Sequence, residues 1–477
     1  MQHTVAQENS LPGTLDWQMT RFRFDSSGET VQPALLGGLR SSAIEGYASR
    51  TSVYPGETID FMVSVEPVCR FAMDIYRLGY YGGTGGRHIC SLGTFSGETQ
   101  PVPVETVERL RECNWQPSAT LQVPDHWASG VYLVKLTSLT PFRAQSYIVF
   151  IVKQRQKADI LVQASDLTWQ AYNKWPGLNS IYDDGTPQLW YMGPNVRVSF
   201  DRPYSKYCQI VDSPLSCGSG SFLLWEFPLA YWLEAEGYNV AYCSNLDLHD
   251  EPGLIESCKV FISVGHDEYW TRTMYDNAVA ARDAGVSLLF LSGNSINHDI
   301  IPYDNQLTGE RFRAFARKER FLDEFELMGA TTFGPGYGDW TVSNPDHWVF
   351  EGTGMKAGDS IPGLVGWEYH GAPFKQIAGL ELLAHSELIG VSAPSPKQKH
   401  ASPRVGDGKH AAVIYPGPGP RNNWVFNAGT IWWAQGLSSP PGHIPAKGLI
   451  GRVQGPDPRV QRMTRNLLDR CIGQHDG

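Results

Sequence analysis

An apolar run that stops abruptly at a glycine constrains the fold of this chain more than any other feature. Residues 260–264 read Val-Phe-Ile-Ser-Val, and after Gly265 the chain continues at once with His-Asp-Glu-Tyr-Trp at 266–270. A continuous apolar run of this length is typical of a strand that is buried on both faces of a parallel sheet. Ligands of such sheets bind beyond the carboxyl ends of the strands. The pattern therefore predicts an α/β sheet that presents polar side chains at its carboxyl edge.

Strand and helix patterns alternate from about residue 157 onward. Apolar strand patterns occur at 158–163, 238–242, 259–265 and 286–291, and helix patterns at 227–236, 271–284 and 458–471. Alternation of this kind predicts a doubly wound parallel sheet with helices on both faces. We interpret residues 155–477 as an α/β catalytic domain whose sheet is of the glutamine-amidotransferase-like type.

The chain before residue 155 has a different pattern. Short segments of alternating apolar and polar residues at 58–65, 71–78 and 131–136 are separated by turns rich in glycine and proline. These segments predict an antiparallel β-sandwich of immunoglobulin-like type over residues 41–154, preceded by an N-terminal arm at 1–40. A length of 477 residues also favours a multi-domain protein.

The composition argues against several kinds of partner and location. The net charge is −10 and no basic block occurs, so nucleic acid and anionic membrane surfaces are unfavourable partners. No apolar run approaches the roughly 18 residues of a membrane span. Residues 1–13 are polar and lack the apolar core of a signal peptide. We therefore expect a cytoplasmic protein. Its eight cysteines include no C-x-x-C pair, and we expect them to be buried thiols.

Two tyrosines and a glutamate could form a metal site at the predicted sheet edge. Tyr172 and Tyr182 both follow the first strand of the α/β region, and Glu268 follows a later one. Two phenolates and a carboxylate make a hard, anionic, all-oxygen ligand set, which suits a trivalent ion such as Fe(III). The chain contains 21 tyrosines, so tyrosines that merely pack in loops are an alternative interpretation.

Two further polar residues follow buried strands, and each has two interpretations. In an extended segment His266 and Glu268 share a face and could point into one cleft. Alternatively, the pair caps the helix that is predicted to begin near Thr271. Asn294 follows the strand at 286–291 and could donate to a substrate carbonyl, or it could close a turn.

Several segments together resemble the large (β) subunit of N,N-dimethylformamidase. They are Trp169–Asn173, Ser180–Tyr182, Gly265–Trp270, Gly293–Asn294 and Asn427–Trp432. The likeness covers most of residues 155–470, and Gly-His-Asp-Glu-Tyr-Trp is its most specific segment. The preceding sandwich, with Arg-Leu-Gly-Tyr-Tyr at 77–81, resembles the domain that accompanies this subunit.

The resemblance implies an amidohydrolase that cleaves the C–N bond of a small amide at a mononuclear iron. The implied Fe(III) ligands are Tyr172, Tyr182 and Glu268. The segment between the two tyrosines is shorter here than in the family, so Tyr191 and Tyr204 are rival second ligands.

The resemblance also implies roles for three other residues and for a partner. His266 would either support a metal ligand or act as an acid/base group, Asn294 would position the substrate, and Glu368 would be a further acid. The expected partners are a small amide substrate and either a second copy of the chain or a small accessory subunit.

Two other functions are compatible with parts of the sequence. A thiol-dependent hydrolase on the same kind of sheet would need a nucleophilic cysteine, for which Cys243 is the candidate. A non-catalytic module would bind a ligand such as a carbohydrate in an aromatic cleft. The tryptophans that would line that cleft are Trp169, Trp175, Trp190 and Trp270.

Overall fold

The computed structural model describes residues 2–25, 39–186, 191–208, 211–212, 214–371, 377–390, 408–443 and 455–473. The strands are β1 (Glu45–Ala48), β2 (Ser52–Val53), β3 (Thr58–Ser64), β4 (Arg70–Leu78), β5 (Gly86–Ser96), β6 (Pro117–Gln122), β7 (Gly130–Ser138), β8 (Gln145–Val152), β9 (Ile160–Ala164), β10 (Arg197–Ser199), β11 (Tyr207–Cys208), β12 (Val211–Asp212), β13 (Val240–Ser244), β14 (Val260–His266), β15 (Tyr269–Trp270), β16 (Ser287–Gly293), β17 (His298–Tyr303), β18 (Ala314–Arg320), β19 (Thr331–Phe333), β20 (Gly338–Thr341), β21 (Ser360–Val365), β22 (Tyr369–Gly371), β23 (Glu381–Glu387), β24 (Lys409–Pro416) and β25 (Trp424–Asn427). The α-helices are α1 (Val5–Asn9), α2 (Asp166–Tyr172), α3 (Phe227–Ala235), α4 (Asn245–Asp250), α5 (Arg272–Ala284), α6 (Glu324–Met328) and α7 (Pro458–Gly473). Short 3-10 helices lie at Tyr81–Gly83, Pro214–Ser216, Ile255–Ser257, Trp348–Phe350 and Trp433–Gly436. The protein is therefore rich in β-structure and is built from several sheets.

A seven-stranded sheet with the order β13-β9-β14-β16-β25-β24-β23 forms the centre of the second half of the chain. The first five strands are parallel, so their carboxyl ends meet at one edge. The last two, β24 and β23, are antiparallel. They come from the Gly- and Pro-rich region after residue 300.

Both faces of this sheet are covered, which explains the continuous apolar runs. Alternate residues of β14 point to opposite faces. Val260 and Ile262 join one apolar cluster with α3 and α7, and Phe261 joins another with α5. All seven residues of β14 are buried. Each fully buried Val, Ile or Phe side chain contributes about 1.5–3 kcal/mol to folding.

Helix α5 comes directly after β15 in the chain, and the residues at its two ends are typical of a helix start and a helix end. Thr271 caps its first turn, because the Thr271 side chain accepts a hydrogen bond from the Met274 N–H at 3.1 Å. Gly285 ends the helix in the left-handed region at a φ of 103°, which glycine adopts without strain. The alternative interpretation of His266 and Glu268 as the cap of this helix is therefore wrong.

Two further sheets, β2-β8-β7-β4-β5 and β1-β3-β6, lie between residues 45 and 152. Their facing side chains form one apolar cluster, which includes Phe61, Phe71 and Val134. The N-terminal segment packs against the second half of the chain through α1, where Asn9 donates to Glu234 at 2.7 Å.

A buried ion pair joins these two parts of the chain. Arg77 of β4 contacts Glu234 of α3, with Nη2 at 2.7 Å from Oε1 and Nη1 at 3.1 Å from Oε2. Both side chains are fully buried. Tyr242 of β13 donates to the same carboxylate at 2.8 Å. A second contact lies nearby, where Lys153 pairs with Asp247 at 2.7 Å.

A small sheet with the order β10-β18-β17-β15 lies beyond the carboxyl edge of the large one. Strand β15 begins three residues after β14 ends, and it pairs in parallel with β17. Strand β18 pairs antiparallel with β17 and with β10. The sheet therefore holds side chains from distant parts of the sequence beside the end of β14.

Two further findings concern expectations from composition. Among the described residues, none of the helices combines the length and apolar character that a membrane crossing requires. No disulfide joins the cysteines in this part of the chain. Five of them are buried, and Cys69 and Cys90 are half-buried. Cys208 lies outside the residues whose side chains are described.

Candidate functional site

The carboxyl ends of three parallel strands bring the candidate residues together. Helix α2 starts directly after β9 and ends with Tyr172. Strand β14 ends at His266, which is paired in register with Gly293 at the end of β16. Asn294 follows on that strand. Glu268 lies in the link between β14 and β15. Its backbone N–H donates to the Thr168 hydroxyl at 2.9 Å, which ties this link to α2.

Three side-chain oxygens meet at this edge. The Tyr172 hydroxyl donates to Oε2 of Glu268 at 2.8 Å, and the Tyr182 hydroxyl donates to the Tyr172 oxygen at 2.7 Å. The Tyr182 oxygen also lies 3.2 Å from the same Oε2 atom. All three side chains are buried. We call these three residues the oxygen triad.

A second group of contacts surrounds His266. Its Nε2 atom lies 2.7 Å from Oε2 of Glu368 and 3.4 Å from Oε2 of Glu268. The Glu368 carboxylate is thus the closer of the two acidic partners of His266. The Asn294 amide group lies 3.0 Å from the same Nε2 atom. The acid that the resemblance implies, Glu368, is thus beside His266.

The carboxylates beside His266 favour its charged form. Burial alone would lower the pKa of His266, but the carboxylates of Glu368 and Glu268 outweigh it and raise that pKa. The amide nitrogen of Asn294 lies 3.0 Å from Nε2 of His266, and the Asn294 Oδ1 atom has no partner among the described residues. Asn294 therefore keeps one amide atom available to a ligand in the site.

The backbone at Asn294 is held in an unusual conformation. Its φ is 55°, which a non-glycine residue adopts only at a cost. The turn is fixed from the next residue, because the Ser295 N–H donates to Nε2 of His370 at 3.2 Å. His370 in turn contacts Oδ1 of Asn427 at 2.7 Å through Nδ1. Asn427 belongs to one of the segments that carry the family resemblance.

The site disfavours negative charge on its oxygens. Burial raises the pKa of the Tyr172 and Tyr182 phenols well above the ordinary value, and the Glu268 carboxylate adds to both shifts. Burial also raises the pKa of Glu268, against the effect of His266. The phenols therefore keep their protons unless a positive charge is supplied beside them.

An aromatic cluster covers His266 and Glu368. It consists of Leu224, Trp225, Tyr337, Trp367, Ile431 and Trp432. The Trp367 ring lies edge-on to the His266 ring, with 5.4 Å between their centroids. Gly265 makes the close packing possible, since a Cβ atom there would lie 2.6 Å from Cβ of Trp225. This cover restricts the access of water to the site.

Tyr191 and Tyr204, the two rival second ligands, make other contacts. Tyr191 contributes backbone atoms: its N–H donates to the Tyr182 carbonyl at 3.0 Å, and its carbonyl accepts from Arg317 at 3.2 Å. The Tyr204 ring packs edge-on against Trp169, beside a cavity that Asp166 and Arg202 also line. The hydroxyl that meets Tyr172 and Glu268 is that of Tyr182.

The alternative functions are not supported by the residues on which they depended. Cys243 is fully buried in β13, and burial raises the pKa of its thiol well above the ordinary value, so it is a poor nucleophile. Trp169, Trp175 and Trp270 are buried in separate packing contacts, with Trp175 donating to Glu45 of β1 at 2.7 Å. They do not line a common cleft. Trp190 lies outside the described residues.

Tyr269 and Arg317, to which the sequence analysis gave no role, both contact Tyr182. The Tyr269 hydroxyl donates to the Tyr182 oxygen at 2.5 Å. Arg317 donates to the Tyr269 oxygen at 3.2 Å through Nη2. The position of Tyr269 after β14 was a usable signal, but nothing in the sequence around Arg317 pointed to the site.

The fold and the site define a protein with a buried tyrosine–carboxylate cluster at the carboxyl edge of a largely parallel sheet. Residues 72–446 match the family described as N,N-dimethylformamidase beta subunit-like, C-terminal, and the chain belongs to that family. The resemblance drawn from the sequence segments is thus confirmed. No curated protein is significantly similar to the chain.

Proposed function

We propose that this protein is an amidohydrolase that cleaves the C–N bond of a small linear amide at a single iron(III) ion. Its membership of the dimethylformamidase-like family supports an amidohydrolase-type function. The observation that carries the iron site is the oxygen triad. Its three oxygens come from different segments of the chain and meet within 2.7–3.2 Å of one another.

The spacing and chemistry of the triad fit a hard ion. Adjacent oxygen ligands at about 2.0–2.1 Å from an octahedral ion lie about 2.8–3.0 Å apart. The three separations of 2.7, 2.8 and 3.2 Å are close to those of one face of such an octahedron. Within the described part of the chain, no group of three or more His, Cys, Asp and Glu side chains could hold a metal. A metal at this site would therefore depend on the tyrosines.

The phenols supply a further argument for a highly charged ion. Burial and Glu268 keep the protons on Tyr172 and Tyr182, so binding must release those protons. A trivalent ion balances two phenolates and one carboxylate. When bound, iron would supply Lewis acidity toward water and toward the amide carbonyl.

The remaining chemistry is assigned to side chains around the triad. The Asn294 NH₂ group would donate to the substrate oxygen as negative charge develops there. Protonated His266, held by Glu368 at 2.7 Å, would transfer a proton to the departing amine. The aromatic cluster would exclude bulk water and strengthen both interactions.

The finer features of the fold and the assembly are part of the same proposal. We assign the two N-terminal sheets to the immunoglobulin-like type and the large sheet to the glutamine-amidotransferase-like type. A family described as beta subunit-like is consistent with a partner subunit. A small accessory subunit, a homo-oligomer and a cytoplasmic location remain predictions.

The test uses the full chain, reconstituted with iron. Wild type should bind about one iron per chain, show a phenolate-to-iron absorption band and release amine from small amides. Glu268→Gln should lose the iron, the band and the turnover. Glu112→Gln is the matched control, because Glu112 is half-buried and accepts from the Gln306 N–H at 3.1 Å, away from the triad. Full turnover by Glu268→Gln would disprove the proposal.

A further inference from the structure

We infer that Tyr269 and Arg317 are positioning residues that hold the Tyr182 oxygen in the triad and offset the negative charge it carries as an iron ligand. This inference rests on the proposed iron site. It assigns a role to Tyr269, which lies in the most specific segment of the family resemblance but was given no role there, and to Arg317, to which no sequence pattern pointed.

A chain of hydrogen bonds links Arg317 to Glu268. Arg317 donates to Tyr269 at 3.2 Å, and Tyr269 donates to Tyr182 at 2.5 Å. Tyr182 donates to Tyr172 at 2.7 Å, and Tyr172 donates to Glu268 at 2.8 Å. The bonds thus run in one direction, from a cation to a carboxylate.

This order determines which hydrogen bond survives when the triad acts as a ligand set. Tyr172 and Tyr182 then have no hydroxyl protons to donate. Tyr269 lies outside the ligand set, and its hydroxyl faces the Tyr182 oxygen at 2.5 Å. The Tyr269 hydroxyl is therefore the donor that continues to orient the Tyr182 oxygen.

Arg317 places a positive charge in the interior beside the triad. Its side chain is buried, yet none of its polar contacts among the described residues is a carboxylate within salt-bridge distance. Those contacts are the carbonyl oxygens of Tyr191 and Gly193 and the hydroxyl of Tyr269. A buried guanidinium normally has an anionic partner.

The geometry of Arg317 indicates which anion serves as that partner. Its Cζ atom lies 4.8 Å from the centroid of the Tyr182 ring. The Tyr182 oxygen is the ligand to which Arg317 is linked through a single intervening hydroxyl. Negative charge on that oxygen in the iron-bound form would supply the missing partner.

The small sheet holds Tyr269 and Arg317 next to each other. Tyr269 lies on β15 and Arg317 on β18, and β17 joins the two strands. His298 of β17 stacks on the Tyr269 ring with 5.6 Å between centroids and 16° between planes. The sheet thus fixes both positioning residues from the side opposite the large sheet.

The experiment compares variants of the full chain after reconstitution with iron. Tyr269→Phe removes the donor but retains the ring that stacks on His298. Arg317→Met removes the cation. Tyr275→Phe is the matched control. Tyr275 lies on α5, and its hydroxyl donates to the Asp323 carbonyl at 2.9 Å, outside the site. The measurements are the position of the phenolate-to-iron band and the concentration of a competing chelator that removes half of the iron.

We expect a shift of the band to longer wavelength in Tyr269→Phe, because an unbonded phenolate is a stronger electron donor. Iron affinity should fall about 10–100-fold in both site variants, as is typical when a residue that orients a metal ligand is removed. Tyr275→Phe should match wild type in both measurements. If Arg317→Met does not fold, Tyr269→Phe alone decides.

Two results would overturn the inference, and they are distinguishable. If wild type shows the band and Tyr269→Phe has the same band position and chelator midpoint, this inference fails while the iron site stands. If wild type binds no iron, the proposed function fails and this inference fails with it.

Discussion

His266 and Glu368 face each other at 2.7 Å, although His266 ends a strand of the large sheet and Glu368 directly precedes β22, which pairs with β19 in a separate two-stranded sheet. The contact gives the buried imidazole a carboxylate outside the oxygen triad. It separates two positions for acidic groups at one site, since Glu268 lies in the triad and Glu368 lies beside His266, the proposed proton donor.

This separation predicts different outcomes for the two glutamates. In Glu368→Gln the neutral amide no longer holds the imidazolium, and amide hydrolysis should fall about 10²–10⁴-fold. Iron content should stay at the wild-type level, because Glu368 is not in the triad. Metal analysis and initial rates on one sample test this. Loss of iron from Glu368→Gln would contradict the separation.

The second prediction concerns Tyr172 and Tyr182, the proposed tyrosine ligands. Tyr172→Phe and Tyr182→Phe should each lose the phenolate-to-iron band and most of the bound iron. Tyr191→Phe and Tyr204→Phe should keep both, because their hydroxyls lie outside the triad contacts. A variant of either rival that loses the band while Tyr182→Phe keeps it would reassign the second ligand.

The third prediction concerns Asn294. Removing the amide donor in Asn294→Gly should lower the rate about 10²–10³-fold without loss of iron. Asn294→Ala should lose the same activity and also about 1–2 kcal/mol of stability relative to glycine, because φ is 55°. Rates and thermal unfolding of the two variants provide the comparison. Equal stability would show that the backbone relaxes at this turn.

The fourth prediction concerns pH. Burial raises the pKa of Asp166 from 3.8 to about 7 in the folded protein. The folded state then binds a proton that the unfolded state has lost, so stability falls as pH rises from about 4 to about 7. The loss is at most about 4 kcal/mol. Asp166→Asn should flatten this part of the stability profile, as measured by thermal unfolding of the iron-free protein. An unchanged profile would contradict the assignment to Asp166.

The fifth prediction concerns the ion pair between Arg77 and Glu234. Arg77→Met leaves a carboxylate buried without its cation and should destabilise the protein by about 3–5 kcal/mol. Adding Glu234→Leu should recover a large part of that loss, because no buried charge then remains. Denaturant titrations of the two variants test the coupling. A double variant less stable than Arg77→Met would disprove it.

The sequence was sufficient for features that depend on local pattern. The apolar run before Gly265 identified β14, since burial on both faces favours apolar side chains at nearly every position. Thr271 and Gly285 marked the limits of α5. The gathering of Tyr172, Glu268 and Asn294 could be predicted because parallel strands present their carboxyl ends at one edge.

Features that depend on pairing between distant segments could not be predicted. Arg317 reaches the site only because β18 pairs with β17 and β17 with β15, and no periodicity encodes such a register. Strands β23 and β24 join the large sheet antiparallel, although the chain around them is rich in glycine and proline. The family resemblance supplied Glu368, which pattern alone did not.

The contact between Arg77 and Glu234 bears on how the chain can be divided. The family match begins at residue 72, inside β4 and ahead of Arg77, rather than near residue 155 where the sequence changes character. The matched segment thus contains both Arg77 and helix α3, which carries Glu234. A fragment that begins between these two residues would bury the Glu234 carboxylate without its guanidinium partner.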